Sequence, residues 1–180
     1  MRRLISFAGL AVLLAFATPA AAQRPVEFGI DAGAIFGLGD ESSISITVPA
    51  SRFRVGFPLG GRWYIEPVAG FSYNKVEGVD GVFTYNLELG ALYHVTPFTV
   101  IREGREPIRV TSVYLRPFVG LTGYFAGDDD DTEFSIGAGV GVKIPWLERL
   151  AWRLEANLGY GFDNEAARIG LLAGLSFFPR

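Results

Sequence analysis

The sequence predicts an all-β fold: an eight-stranded antiparallel up-and-down transmembrane β-barrel. Three observations point there. The region after residue 23 divides into eight stretches in which apolar and polar or small residues alternate with a period of two. The face opposite the apolar one is crowded with Gly and carries charges of both signs. No stretch beyond residue 23 has the roughly 20 apolar residues that a spanning helix requires, because Gly, Pro or a charge interrupts every run.

The N-terminus comes first. Arg2 and Arg3 form a basic start, Leu4 to Phe16 an apolar core, and Ala20-Ala21-Ala22 a small-residue cleavage site before Gln23. Residues 1–22 are therefore expected to be a cleaved export signal and 23–180 the barrel domain. Their removal takes away two Arg and shifts the net charge from −3 to −5, an acidic balance that argues against nucleic acid as a partner. The chain has no Cys, which excludes a disulfide framework, a thiolate metal site and a lipid-modified Cys. No cofactor is expected.

The alternation is cleanest in residues 26–38, 63–74, 83–95, 113–125, 134–144, 150–162 and 167–178. In 150–162, for example, Leu150, Trp152, Leu154, Ala156, Leu158, Tyr160 and Phe162 oppose Ala151, Arg153, Glu155, Asn157, Gly159 and Gly161. The stretch 43–57 is less regular. Ile44, Ile46 and Val48 share one parity, whereas Phe53, Val55 and Phe57 take the other. A switch at Pro49–Arg52 predicts a bulge, where Pro is tolerated in a sheet. Each stretch is long enough for the 9–11 residues of a tilted membrane strand.

A soluble lipocalin-like binding barrel also alternates, with its bulky apolar residues inside. Here the second face carries Glu27, Asp31, Glu66, Glu88, Arg116, Lys143, Arg153, Glu155 and Arg168 among many Gly. Eight strands leave an interior only wide enough for side chains to fill, so small residues and paired charges suit it better than rows of aromatics. Glu66, Glu88, Arg116, Arg153 and Glu155 lie near mid-strand and are the expected lumenal ion-pair network, a structural rather than catalytic set. The apolar face carries aromatics near its ends, such as Phe83, Tyr85 and Tyr93, or Trp152, Tyr160 and Phe162. That pattern suits girdles at two membrane interfaces.

These residues resemble the small outer-membrane β-barrel proteins of the OmpA/OmpX type. The resemblance rests on the export signal, the eight dyad-repeat strands, Gly-x-Gly-x-Gly at 137–141, the hairpin FRVGFPLGGRWYIEPVAGFSY at 53–73, and GLLAGLSFF at 170–178. It implies a place in the outer membrane of a Gram-negative cell envelope, among outer-membrane lipids and lipopolysaccharide. It also implies recognition by the barrel-assembly machinery through the aromatic-ended last strand, although here Pro179 and Arg180 follow the aromatic pair. In this architecture both termini face the periplasm. Outer loops are then expected near 39–42, 75–81, 126–132 and 163–166, with periplasmic turns near 58–62, 96–108 and 145–149. The 96–108 segment is long for a turn, and alternation over Phe98–Arg109 predicts a hairpin extending beyond the bilayer.

Three functions compete: a structural or surface-interaction barrel, a narrow pore, and a lipid A-modifying enzyme. Little open lumen disfavours the pore. Esterase chemistry needs a Ser activated by a base, and the lone His94 has Thr96 where a His-x-Ser arrangement would place the nucleophile. His94 is expected to point into the lumen as a hydrogen-bonding group. The four-Asp run at 128–131 lacks the ligand spacing of a specific divalent-cation loop. The expected function is therefore structural or surface-interactive and not enzymatic.

Overall fold

The computed structural model describes residues 25–38, 44–74, 81–100, 108–127, 129–163 and 165–179. The expected export signal, the expected 39–42 loop and residues 75–80 of the expected 75–81 loop lie outside them. Eight long strands close into one barrel: β1 (Glu27–Leu38), β2 (Ile44–Gly60), β3 (Trp63–Asn74), β4 (Val82–His94), β7 (Ser112–Ala126), β8 (Asp129–Leu147), β9 (Leu150–Gly161) and β10 (Ala166–Phe177). The short β5 (Thr99–Val100) and β6 (Ile108–Arg109) pair with each other as a separate two-stranded sheet, so the alternation after Phe98 marks a pairing but not an extension of the barrel strands. Each long strand pairs antiparallel with its sequence neighbour in the barrel, and β1 pairs with β10 from Phe28↔Phe177 to Leu38↔Ala167 to close it. Closure leaves no edge strand with unsatisfied backbone groups, the condition for strands to cross lipid.

The faces divide by parity. Leu154, Val140, Leu171 and Ile30 are each more than two-fifths exposed on the outer surface. Glu66, Arg116, Lys143 and Glu27 are each 1% exposed inside. This inverts a soluble barrel and removes the lipocalin-like alternative.

Gly and bulky residues are matched across the ladders. Glu66 pairs with Gly90, Arg54 with Gly29, Arg116 with Gly139, and Asp31 with Gly174. A Cβ added at Gly90 would lie 2.6 Å from Arg116 Nε, and one at Gly139 would lie 2.9 Å from Glu155 Oε1. The missing side chains are the space in which their neighbours' long polar side chains lie.

The sheet departs from regular pairing where the parity switch fell. Arg52 pairs with Asp31 but Thr47 pairs with Gly33, so β2 advances five residues while β1 advances two. The inner turn at 58–62 is made by Gly60 and Gly61, both at positive φ (107° and 56°), a conformation that costs Gly little. The expected outer loop at 126–132 is not a loop. Asp129, Asp130 and Asp131 continue β8, paired with Ala126, Phe125 and Tyr124. Gly127 at φ 61° makes the reversal tight. Strand pairing continues past the apolar band because β7 runs on to Ala126 as a partner, and the shared backbone ladder outweighs the low strand preference of Asp.

Two aromatic belts ring the outer surface. At one end Phe71, Phe83, Phe125 and Tyr85 form a chain of ring contacts at 5.6–6.3 Å, and Phe134, Phe162 and Tyr160 continue it. At the other end Trp63 meets Tyr93 at 4.7 Å and Trp146 meets Trp152 at 5.3 Å. The ten residue steps from Trp152 to Phe162 span roughly 33 Å of strand. At a tilt of about 40° that gives roughly 25 Å along the barrel axis, the height of an outer-membrane apolar band.

Candidate functional site: the lumenal charge ladder

All five sequence-predicted residues project into the lumen, and the structure brings them into one connected cluster. Glu66 on β3 is its hub. Arg153 Nη1 donates to Glu66 Oε2 at 2.5 Å, and Arg153 Nη2 to Oε1 at 3.0 Å. Arg116 Nε lies 2.9 Å from Glu66 Oε1, and Arg54 Nη1 lies 3.8 Å from Oε2. Glu155 receives Arg153 Nη2 at 2.5 Å and the Tyr114 hydroxyl at 2.8 Å. Glu88 receives Arg116 Nη2 and Arg52 Nη2, each at 2.8 Å.

The ladder reaches further than the sequence reading placed it. Arg54 donates through Nε to Asp31 (3.0 Å to Oδ2), through Nη1 to Glu27, and through Nη2 to Ser176 Oγ at 2.7 Å. Lys143 Nζ completes the inner end by donating to Glu27. Arg153 and Arg116 also lie over aromatic rings, 4.7 Å from the Tyr114 centroid and 5.0 Å from that of Phe118. A separate pair, Arg168 and Glu133, sits toward the other end. Among the described residues, six cations and six carboxylates share these contacts. The interior is charge-balanced, as burial in low dielectric demands.

Sequence reasoning missed Arg52, Arg54, Glu133 and Tyr114 as members. A signal for the first two was present: the parity of Phe53, Val55 and Phe57 turns Arg52 and Arg54 inward. Glu133 fell between the expected 126–132 loop and the stretch 134–144 and was assigned to neither.

The lumen is closed at the end near the termini. His94, Ser112, Leu92, Tyr114 and Ala151 are each no more than 2% exposed. Phe98, carried in by the β5–β6 hairpin, stacks on His94 at 5.7 Å and meets Phe178 at 5.2 Å. The Arg109 guanidinium covers the outside of Phe178 at 4.4 Å.

His94 does have a Ser beside it, contrary to the expectation from its immediate neighbours. Ser112 Oγ is 2.8 Å from His94 Nδ1, brought there by the β4–β7 pairing of His94 with Tyr114. Ser112 gives its single hydroxyl proton to the Thr96 carbonyl at 2.5 Å, so His94 Nδ1–H donates to Ser112 Oγ. Both residues are buried, and Phe98 stacks on His94.

A closed, eight-stranded antiparallel barrel with an apolar exterior, two aromatic belts and a charge-paired lumen now stands complete. This is the fold of the small outer-membrane β-barrels. Solved structures of such barrels superpose on it. Neisserial surface protein A, NspA, is 13% identical and matches with a TM-score of 0.61 over 86% of this chain and 97% of its own. The N-terminal β-barrel domain of Pseudomonas aeruginosa OprF is 15% identical, with a TM-score of 0.52 over 84% of this chain and 97% of that one. No protein-family model matches the chain, and no curated protein matches it in sequence. The likeness is one of an OmpA/OmpX-like outer-membrane barrel fold, reached with few shared residues.

Proposed function

We propose that this chain is an integral outer-membrane protein with a structural or surface-interaction role, exported by a cleaved signal and held open to no through-flow by its own side chains. The observation that carries this reading is the pairing of an apolar, doubly belted exterior with a lumen blocked across its section by the Glu66, Arg116, Arg153 and Glu155 cluster. Outer-membrane lipid and lipopolysaccharide are the surroundings that such an exterior fits, and the aromatic-ended β10 is the segment that the barrel-assembly machinery would engage. With both termini periplasmic, the Phe98–Phe178 plug faces the periplasm and the Asp130–Asp131 end of β8 faces outward.

A pore would require the ladder to part, and an esterase would require Ser112 to be exposed and to lose its proton to His94. The test is fractionation of the producing cell, gel mobility with and without boiling, and conductance in planar bilayers. A heat-modifiable outer-membrane species without conductance is expected. A soluble protein, steady single-channel currents, or altered lipid A on deletion of the gene would each overturn the proposal.

A further inference from the structure

Beyond the ladder the described side chains do not fill the lumen. A cavity of about 470 Å³ lies there, within the roughly 300–1,000 Å³ usual for small-molecule sites. It opens at the end opposite Phe98: Ser72 on β3 points inward yet is exposed, as is its 2.6 Å hydrogen bond to Thr84. Its floor is the Arg52–Glu88 pair.

Gly159 shows that the space is built rather than left over. At Gly90, Gly139 and Gly141 the missing side chain admits a neighbour's, but a Cβ at Gly159 would find nothing closer than 3.8 Å. Gly159 therefore widens the cavity without accommodating any side chain across the ladder.

The chemistry of the wall selects a ligand class. Among the described residues its charges are matched, Arg52 by Glu88 and Arg168 by Glu133, which leaves no described counter-charge unpaired for an anion or a cation. What remains is hydroxyl and amide groups, including Thr84, Ser135 and Asn157, beside the ring of Phe118. Donors and acceptors in mixture, no net charge and one aromatic surface suit a compact polyhydroxylated molecule with an apolar C–H face.

We propose that this vestibule binds a small neutral sugar, a mono- or disaccharide. The site belongs to the closed barrel itself and does not depend on which side of a membrane its mouth faces. The test uses the purified full barrel in a zwitterionic detergent without a sugar headgroup. Saturation-transfer NMR and titration calorimetry are run with glucose, N-acetylglucosamine, maltose and lactose, with inorganic phosphate and spermidine as charged probes. Saturable millimolar binding of at least one sugar is expected, weakened tenfold or more in Gly159→Leu and in Asn86→Leu. Retained heat-dependent gel mobility shows that each variant still folds. The proposal is overturned if no sugar binds saturably, if Gly159→Leu binds as the wild type does, or if the charged probes bind in preference.

Discussion

Arg153 on β9 grips Glu66 on β3 with two N–H donors, at 2.5 and 3.0 Å, from strands that are not neighbours in the barrel. The contact crosses the lumen, so it ties opposite walls together. Each is a buried charge shared within one cluster, and removing either leaves that cluster with an uncompensated charge inside the barrel. Single substitutions Glu66→Gln and Arg153→Met are therefore expected to cost about 3–5 kcal/mol each. The double variant should lose less than their sum, by about 0.5–3 kcal/mol. Urea unfolding of the four proteins in lipid vesicles measures the cycle, and strict additivity would refute a direct coupling.

Arg54 and Arg168 differ in burial, with side-chain exposures of 0% and 30%. Arg54→Met leaves Glu27 and Asp31 short of a cation and should destabilise by about 3 kcal/mol or more. Arg168→Met removes a part-exposed cation and leaves one buried carboxylate, Glu133, short of a partner instead of two, and so should cost less than Arg54→Met. Equal unfolding midpoints for the two variants would contradict the ladder's placement.

Glycines of the filled half should not tolerate a side chain. Gly90→Val meets Arg116 Nε, and overpacking of this kind costs about 1–3 kcal/mol. Gly159→Ala, in ordinary contact only, should stay within about 0.5 kcal/mol of wild type. The comparison is made by the same unfolding assay, and a costly Gly159→Ala would mean that the cavity is not open.

The outer face makes a depth-dependent prediction. Val140 lies mid-strand and is 49% exposed, whereas Leu38 ends β1 at 47%. In lipid, Val140→Arg should cost about 2–4 kcal/mol and Leu38→Arg about 0–1 kcal/mol. Similar costs at both positions would place the apolar band elsewhere.

The strand set was legible because alternation is a local property: the stretch 63–74 was read with the bounds that β3 has, and 150–162 differs from β9 by one residue. The charged face was legible for the same reason, and so was the pairing after Phe98. The loop at 126–132 misled because polarity was taken to mean irregular backbone, and the pairing of Asp130 with Phe125 depends on a partner strand. Ser112 was invisible beside His94 because eighteen residues separate them and only the β4–β7 register brings them together.

By itself, then, the sequence determined how many strands there are, which face each side chain takes and which face meets lipid, since a period of two assigns every residue to one side or the other. Only the tertiary structure decided which charge meets which. Partner choice depends on barrel closure and on the stagger of strands, and these place Arg54 beside Asp31 and Glu27, and Lys143 beside Glu27 from across the lumen. The same closure decided that one half of the interior is sealed by the ladder and Phe98 and that the other half, around Gly159, stays open.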